Sequence, residues 1–151
     1  MKKFFKIFFL TLVIVLLLIQ FIPQNLNNRS TVTTANDVSL AAHTGDTVKQ
    51  LLQTSCYDCH SNHTIYPWYA HVQPFAWWLS SHIKDGKKRL NFSEFGLLGD
   101  KKKKKKLKGI IEQLKEDEMP LKSYLLIHTN AKLTTEQKAQ IIEWAKREEG
   151  S

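Results

Sequence analysis

Both cysteines of the chain fall in one pentapeptide, Cys56-Tyr57-Asp58-Cys59-His60. Two thiols separated by two residues lie one short turn apart, close enough to add to the two vinyl groups of a single porphyrin. The imidazole that follows them can ligate the iron, and this spacing is that of a c-type haem attachment site. On this reading one haem c is held covalently at Cys56 and Cys59, and His60 is the proximal iron ligand. Three other chemistries use similar residues. A dithiol redox site favours a βαβ setting, and no such pattern surrounds the pair. A zinc set of Cys56, Cys59, His60 and His63 lacks the roughly twelve-residue gap between cysteine and histidine pairs of finger-type sites. A plain disulfide would suit an oxidising compartment.

A sixth iron ligand is sought further along the chain. Met119 precedes Pro120, and the only other methionine is Met1. A thioether is a soft ligand suited to haem iron, and a following proline stiffens the loop that presents it. A core methionine filling a gap is the plainer reading, but Glu116-Asp117-Glu118 and Lys122-Ser123 make the setting of Met119 polar. His82 and then His128 are the alternatives; His63 is too near His60 to reach the opposite side of the ring. A haem also needs walls. Trp68 and Trp78, within the aromatic run from Tyr66 to Trp78, are candidates for the haem surround, with ordinary core packing as the alternative. Arg89 could pair with a propionate through its planar guanidinium, or simply be solvated.

These groups must be positioned by helices. Thr44 or Asp46 can cap a short helix through Val48, Leu51 and Leu52 that leads into Cys56. Phe75 to Ile83 reads as a helix with Trp78, Leu79, His82 and Ile83 inward. Asp85-Gly86-Lys87-Lys88-Arg89-Leu90 reads as a turn and basic strip, and Asn91 with Glu94 as a helix start. Leu107, Ile110, Ile111 and Leu114 recur at helical spacing up to about Asp117. Thr134 and Gln137 open a last helix whose inner face is Ile141, Trp144 and Ala145. Lys101 to Lys106 is a run of six lysines. It is a solvated helix face, or a docking patch for an acidic redox partner or anionic lipid.

Lys2, Lys3 and Lys6 precede an apolar stretch, Ile7 to Ile22, that approaches the length of a bilayer crossing. No small-residue cleavage site follows it. Residues 1–23 are therefore expected to be an uncleaved signal anchor rather than a cleaved signal peptide, crossing the inner membrane through residues 7–22. The lysines would stay cytoplasmic and the rest would face the periplasmic side. Residues 24–45, rich in Asn, Ser and Thr, read as a polar linker, and 46–151 as the haem-binding domain. The formal charge of +8 overstates the basic character of that domain. The first thirty residues hold Lys2, Lys3, Lys6 and Arg29 without an acid, which leaves +4 beyond them. Such a balance, on an exported chain, does not call for nucleic acid.

Cys56 to Thr64, Tyr66-Pro67-Trp68-Tyr69, His82-Ile83, Leu90-Asn91-Phe92-Ser93, Met119-Pro120, Tyr124, His128 and Trp144 fall in one order. With them the chain resembles the small bacterial haem-binding domain family related to the cytochromes c, over roughly residues 46 to 147. The resemblance implies an all-α, cytochrome c-like fold, haem attached at Cys56 and Cys59, ligation by His60, a distal loop at Met119-Pro120, and export. The lysine run is not part of that pattern. The function expected is single-electron transfer by a membrane-anchored monohaem domain. The alternatives are a haem-based sensor or peroxidase-like protein with a labile sixth iron position, and a zinc or thiol-redox module without haem. No catalytic acid-base pair stands out.

Overall fold

The computed structural model describes residues 2–24, 26, 28–30 and 32–150. Asn25, Asn27 and Thr31 of the expected linker lie outside these. The apolar run forms helix α1 (Lys2–Leu18), prolonged by a 3-10 turn over Ile19–Phe21. Beyond Lys6 its side chains are apolar round the axis except for Thr11, so it has no single face to lay on a domain core, and it buries none of them. Lys2–Phe21 is long and apolar enough to cross a membrane, as about 20 residues at 1.5 Å per residue cover the hydrocarbon core of a bilayer.

The rest is helical too, and among the described residues no strand forms. The order is α2 (Val38–Ala41), α3 (Asp46–Ser55), α4 (Tyr57–His60), α5 (Phe75–Arg89), α6 (Asp100–Lys115), α7 (Lys122–Leu125) and α8 (Thr135–Gly150). Short 3-10 turns occupy Trp68–His71, Phe92–Leu97 and Thr129–Ala131. Leu107, Ile111 and Leu114 form the buried face of α6, while Ile141, Trp144 and Ala145 form that of α8. These faces meet where α6 packs along α8, and α3 adds Val48 and Leu52 from the other side. The start of α8 is a reciprocal capping box. The Gln137 N–H donates to Thr134 Oγ1 at 3.2 Å, and the Thr134 N–H donates to Gln137 Oε1 at 2.8 Å. Trp144 is wholly buried, and its indole N–H donates to the Ala42 carbonyl at 2.9 Å, so its one polar atom is satisfied.

Three expectations are corrected. Residues 85–90 are no turn: α5 runs through them to Arg89. Gly86 lies on the face of α5 that holds Leu79 and Ile83, where a Cβ would come 2.6 Å from the Cys59 carbonyl oxygen. It is a point of close backbone approach. Asn91 does cap, its side chain accepting from the Ser93 N–H at 3.1 Å, but it opens a 3-10 turn. Glu94 reaches Asn62 at 3.4 Å instead of returning to the cap.

The third concerns the polar segment 24–45, of which residues 28–30 and 37–42 pack on the domain rather than extend as a linker. Val38 and Ala42 belong to the main core, and Asp37 is buried where it caps α2, accepting from the Ser39 N–H at 2.9 Å. Residues 28–30 lie antiparallel to 62–64, with the Ser30 N–H on the Asn62 carbonyl at 2.7 Å and the Thr64 N–H on the Asn28 carbonyl at 2.9 Å. The physical reason is that asparagine and backbone groups here find partners in the loop after His60, which no local periodicity announces.

Candidate functional site

The pentapeptide sits between two hydrophobic clusters. Cys56 packs against the main one, built from α2, α3, α6, α8 and Phe92, and Cys59 against a smaller one of Tyr69, Ala70, Leu79 and Ile83. α3 ends at Ser55, and α4 carries Tyr57 to His60 as a separate turn of helix, so the motif is presented at a corner. Its backbone is held at several points. The Tyr57 hydroxyl donates to Asp37 Oδ1 at 2.7 Å, and Thr64 Oγ1 donates to the Asp58 carbonyl at 2.7 Å. The Asp58 carboxylate accepts from the Tyr124 hydroxyl at 2.7 Å and from the Ile65 N–H at 2.9 Å, tying the motif to α7.

Two cavities flank this corner. The first, of about 290 Å³, has mostly apolar walls, with Leu52, Leu90, Phe92, Ile110, Leu114 and Ile141 among them. The second, of about 250 Å³, is lined by Asp58, Cys59, His82, Asp85, Gly86, Leu121 and Tyr124. Ser55, Cys56, His60, Arg89, Met119 and Pro120 line both, so the two cavities are compartments of one cleft. The structure thus brings Cys56, Cys59, His60, Met119, His82 and Arg89 to one place. It does not bring the others. Trp68 is 72% exposed and Trp78 37% exposed, neither lines the cleft, and Trp78 lies tilted against His82 with centroids 4.4 Å apart. The inward face of α5 is instead Ala76, Leu79 and Ile83. His128 is engaged elsewhere, its Nε2 on the Tyr69 hydroxyl at 2.9 Å and its ring parallel to Tyr124 at 4.1 Å.

His60 is held in one orientation and one tautomer. Its Nδ1 lies 3.1 Å from the Leu90 carbonyl oxygen. A carbonyl only accepts, so Nδ1 carries the proton and Nε2 keeps its lone pair; a backbone carbonyl in this role is usual behind a metal-binding imidazole. Burial holds its pKa below the ordinary histidine value, which favours the neutral ring; hydrogen bonds to Leu90 and Gly86 act in the opposite direction. Phe92 packs edge-on to it at 6.2 Å.

Met119 is delivered by the end of α6. Asp117 adopts a left-handed backbone with φ 55°, and the Glu118 N–H returns to the Gln113 carbonyl at 3.0 Å, which closes the helix. Lys138 of α8 pairs with the Asp117 carboxylate and fixes the turn from outside.

The cysteines are free thiols, half-buried. Burial, with Cys59 nearby, pushes Cys56 up to about 12. Burial and the Asp58 charge push Cys59 up to about 11. Both shifts run opposite to the depressed pKa of a working dithiol. Nor is a zinc set assembled, and the His63 Nδ1 lies 2.7 Å from the Ser30 carbonyl oxygen. Among the described residues no group of three or more His, Cys, Asp or Glu is placed to hold a metal ion. Of the residues expected to serve a haem, Cys56, His60 and Met119 line both compartments of the cleft.

Several contributors carry little sequence signal: the Leu90 carbonyl behind His60, the Asp58 to Tyr124 tie, and Gly86. Only Gly86 could have been found, since it continues the helical spacing of Leu79 and Ile83.

In comparison with known proteins, a family described as a haem-binding domain matches residues 14–147. The match reaches back through the polar segment that the fold packs onto the domain. No curated protein and no solved structure matches the chain.

Proposed function

This chain belongs to the haem-binding domain family, and from that premise we propose that it is a membrane-anchored, exported carrier of single electrons with one c-type haem. The observation that carries the reading is the sharing of both cavities by Cys56, His60 and Met119, with the His60 Nδ1 already committed to a carbonyl. Bound haem iron supplies a one-electron couple, and Met/His ligation places its potential above that of two imidazoles. The chain supplies the rest. Cys56 and Cys59 would tether the group through thioethers, and His60 Nε2 and the Met119 sulfur would hold its iron. The walls Leu52, Phe92, Ile110 and Leu114 exclude water from one face, and Arg89 at the rim suits a propionate.

The lysine run takes its proposed role from its position. Lys102, Lys105 and Lys106 of α6 line a groove of about 480 Å³ together with Lys87, Lys88 and Arg89. Arg89, Leu90, Lys105 and Lys106 also line the first cavity, so the basic groove opens beside the cleft. A redox partner with an acidic face would be steered there. With Lys2, Lys3 and Lys6 retained in the cytoplasm, α1 anchors the domain on the outer side of the inner membrane.

A second reading, a sensor or peroxidase-like protein with a labile sixth position, is favoured by the polar groups Asp58, His82, Asp85 and Tyr124 around the second cavity. One preparation separates the two. The full chain, made in cells with c-type maturation machinery, is expected to keep its haem attached after denaturation and, when native and reduced, to resist carbon monoxide. Haem that washes out of the denatured chain sinks the covalent reading; ready carbon monoxide binding moves the choice to the sensor.

A further inference from the structure

The first turn of α5 is unlike the rest of the domain surface. Phe75 is 55%, Trp77 43% and Trp78 37% exposed, and Val72 beside them is also exposed. No Asp, Glu, Lys or Arg occurs between Asp58 and Lys84, in a chain that is 24% charged. Large aromatic side chains left in solvent on an uncharged surface mark a contact face.

What covers this face is indicated by what it adjoins. Gln20, at the end of the apolar helix, makes two hydrogen bonds to the backbone of Gln73: its Nε2 donates to the carbonyl at 3.1 Å, and its Oε1 accepts from the N–H at 3.0 Å. Gln73 is separated from Phe75 only by Pro74. Pro23 and Gln24, which follow the apolar helix, share a cavity of about 200 Å³ with Trp77. Phe21 and Ile22 are themselves exposed at the junction. The aromatic face therefore begins where the bilayer-crossing helix ends, at the depth where membrane proteins concentrate tryptophan.

We propose that Val72, Phe75, Trp77 and Trp78 seat the domain in the headgroup region of the phospholipid bilayer that α1 crosses. This rests on the anchoring reading given above. α5 then acts as a strut. Its aromatic turn faces lipid, while Gly86, against Cys59, lies eleven residues on, about 16 Å along the helix. The cleft and the basic groove at Lys87, Lys88 and Arg89 are held at the end away from the membrane, open to a water-soluble partner. The tether through Gln20 fixes this orientation.

The test uses the haem-loaded full chain in vesicles of phosphatidylcholine and phosphatidylglycerol that contain a phospholipid with a photoactivatable diazirine near its headgroup. After illumination, adducts are mapped by peptide mass. Adducts are expected on α1 and on residues 72–78, the latter several-fold above Leu97, an exposed apolar side chain in the basic groove at the far end of α5. A Phe75→Ser, Trp77→Ser variant should lose most labelling of residues 72–78 while α1 labelling and haem content stay unchanged. Adducts on α1 with none on 72–78 overturn the lipid-facing role and leave the anchor intact. Absence of adducts from α1 overturns both.

Discussion

A Cβ at position 86 would lie 2.6 Å from the carbonyl oxygen of Cys59 and 3.2 Å from its carbonyl carbon. α5 therefore meets the thiol-bearing turn backbone to backbone, and what would collide is fixed main chain rather than the end of a flexible side chain. Alanine at a helix interior is worth about 1 kcal/mol over glycine, whereas overpacking a tight contact costs about 1–3 kcal/mol. Gly86→Ala is expected to be destabilised on balance, with a lower midpoint in urea and less haem per polypeptide than the parent. A more stable variant with full haem content would mean that α5 does not set the position of Cys59.

Asn28 makes the polar segment a strap across the same turn. Its Nδ2 donates to the Ser61 carbonyl and to Thr64 Oγ1, both at 2.7 Å, and its Oδ1 accepts from Lys87 of α5. Asn28→Ala removes these bonds together. At about 0.5–1.5 kcal/mol net for each of the three hydrogen bonds, a loss of about 1.5–4.5 kcal/mol is expected. Amide exchange at Ser30 and Thr64, whose N–H groups pair across the strap, should quicken more than exchange in α8. Equal protection in parent and variant would show that residues 28–30 hold their place by other means.

What was legible in the sequence follows from range. Cys56, Cys59 and His60 announce themselves by adjacency. The inner faces of α6 and α8, with the Thr134 and Gln137 cap, announce themselves by spacing within one helix. The strap could not be read, because Asn28 and Thr64 are partners across a loop and neither lies in a periodic pattern. Gly86 next to three basic residues resembles a turn until its register with Leu79 and Ile83 is noticed. Trp68 and Trp78 misled for another reason: an aromatic type does not by itself fix burial, and both are exposed away from the cleft.

Tyr57 gives the fold an alkaline limit. Its hydroxyl is buried and donates to the buried Asp37 carboxylate at 2.7 Å. Burial, then the hydrogen bond and charge of Asp37, raise its pKa well above the tyrosine range. The folded state keeps the proton that the unfolded chain releases near pH 10, so this contribution is complete below pH 10 and shrinks as pH rises beyond it. The slope is about 1.4 kcal/mol per pH unit for one proton. Tyr57→Phe should be less stable at neutral pH, as Asp37 loses a partner, by about 1–3 kcal/mol. The gap between parent and variant should then narrow from pH 10 to 11, measured by urea unfolding at each pH. A gap independent of pH would mean that Tyr57 ionises as freely folded as unfolded.

Met119 and His82 compete for the distal position, and the cleft allows a decision between them. Met119 lines both compartments, beside His60 in each, whereas His82 lines only the second. The Nδ1 of His82 is bound to the Trp78 carbonyl one turn back at 2.8 Å, and its ring lies against Trp78. Bringing His82 to iron would cost that hydrogen bond and ring contact, while Met119 stands on a closed turn held by the Lys138 to Asp117 pair. Met119→Ala is therefore expected to lose the weak near-infrared charge-transfer band of sulfur-ligated ferric haem. It should also bind carbon monoxide readily when reduced and show a lower reduction potential, since removing a thioether removes its preference for ferrous iron. His82→Ala should leave all three unchanged. If the spectrum is insensitive to Met119 and responds to His82, the distal ligand is the imidazole, and the resting potential belongs to the lower range of two-histidine ligation.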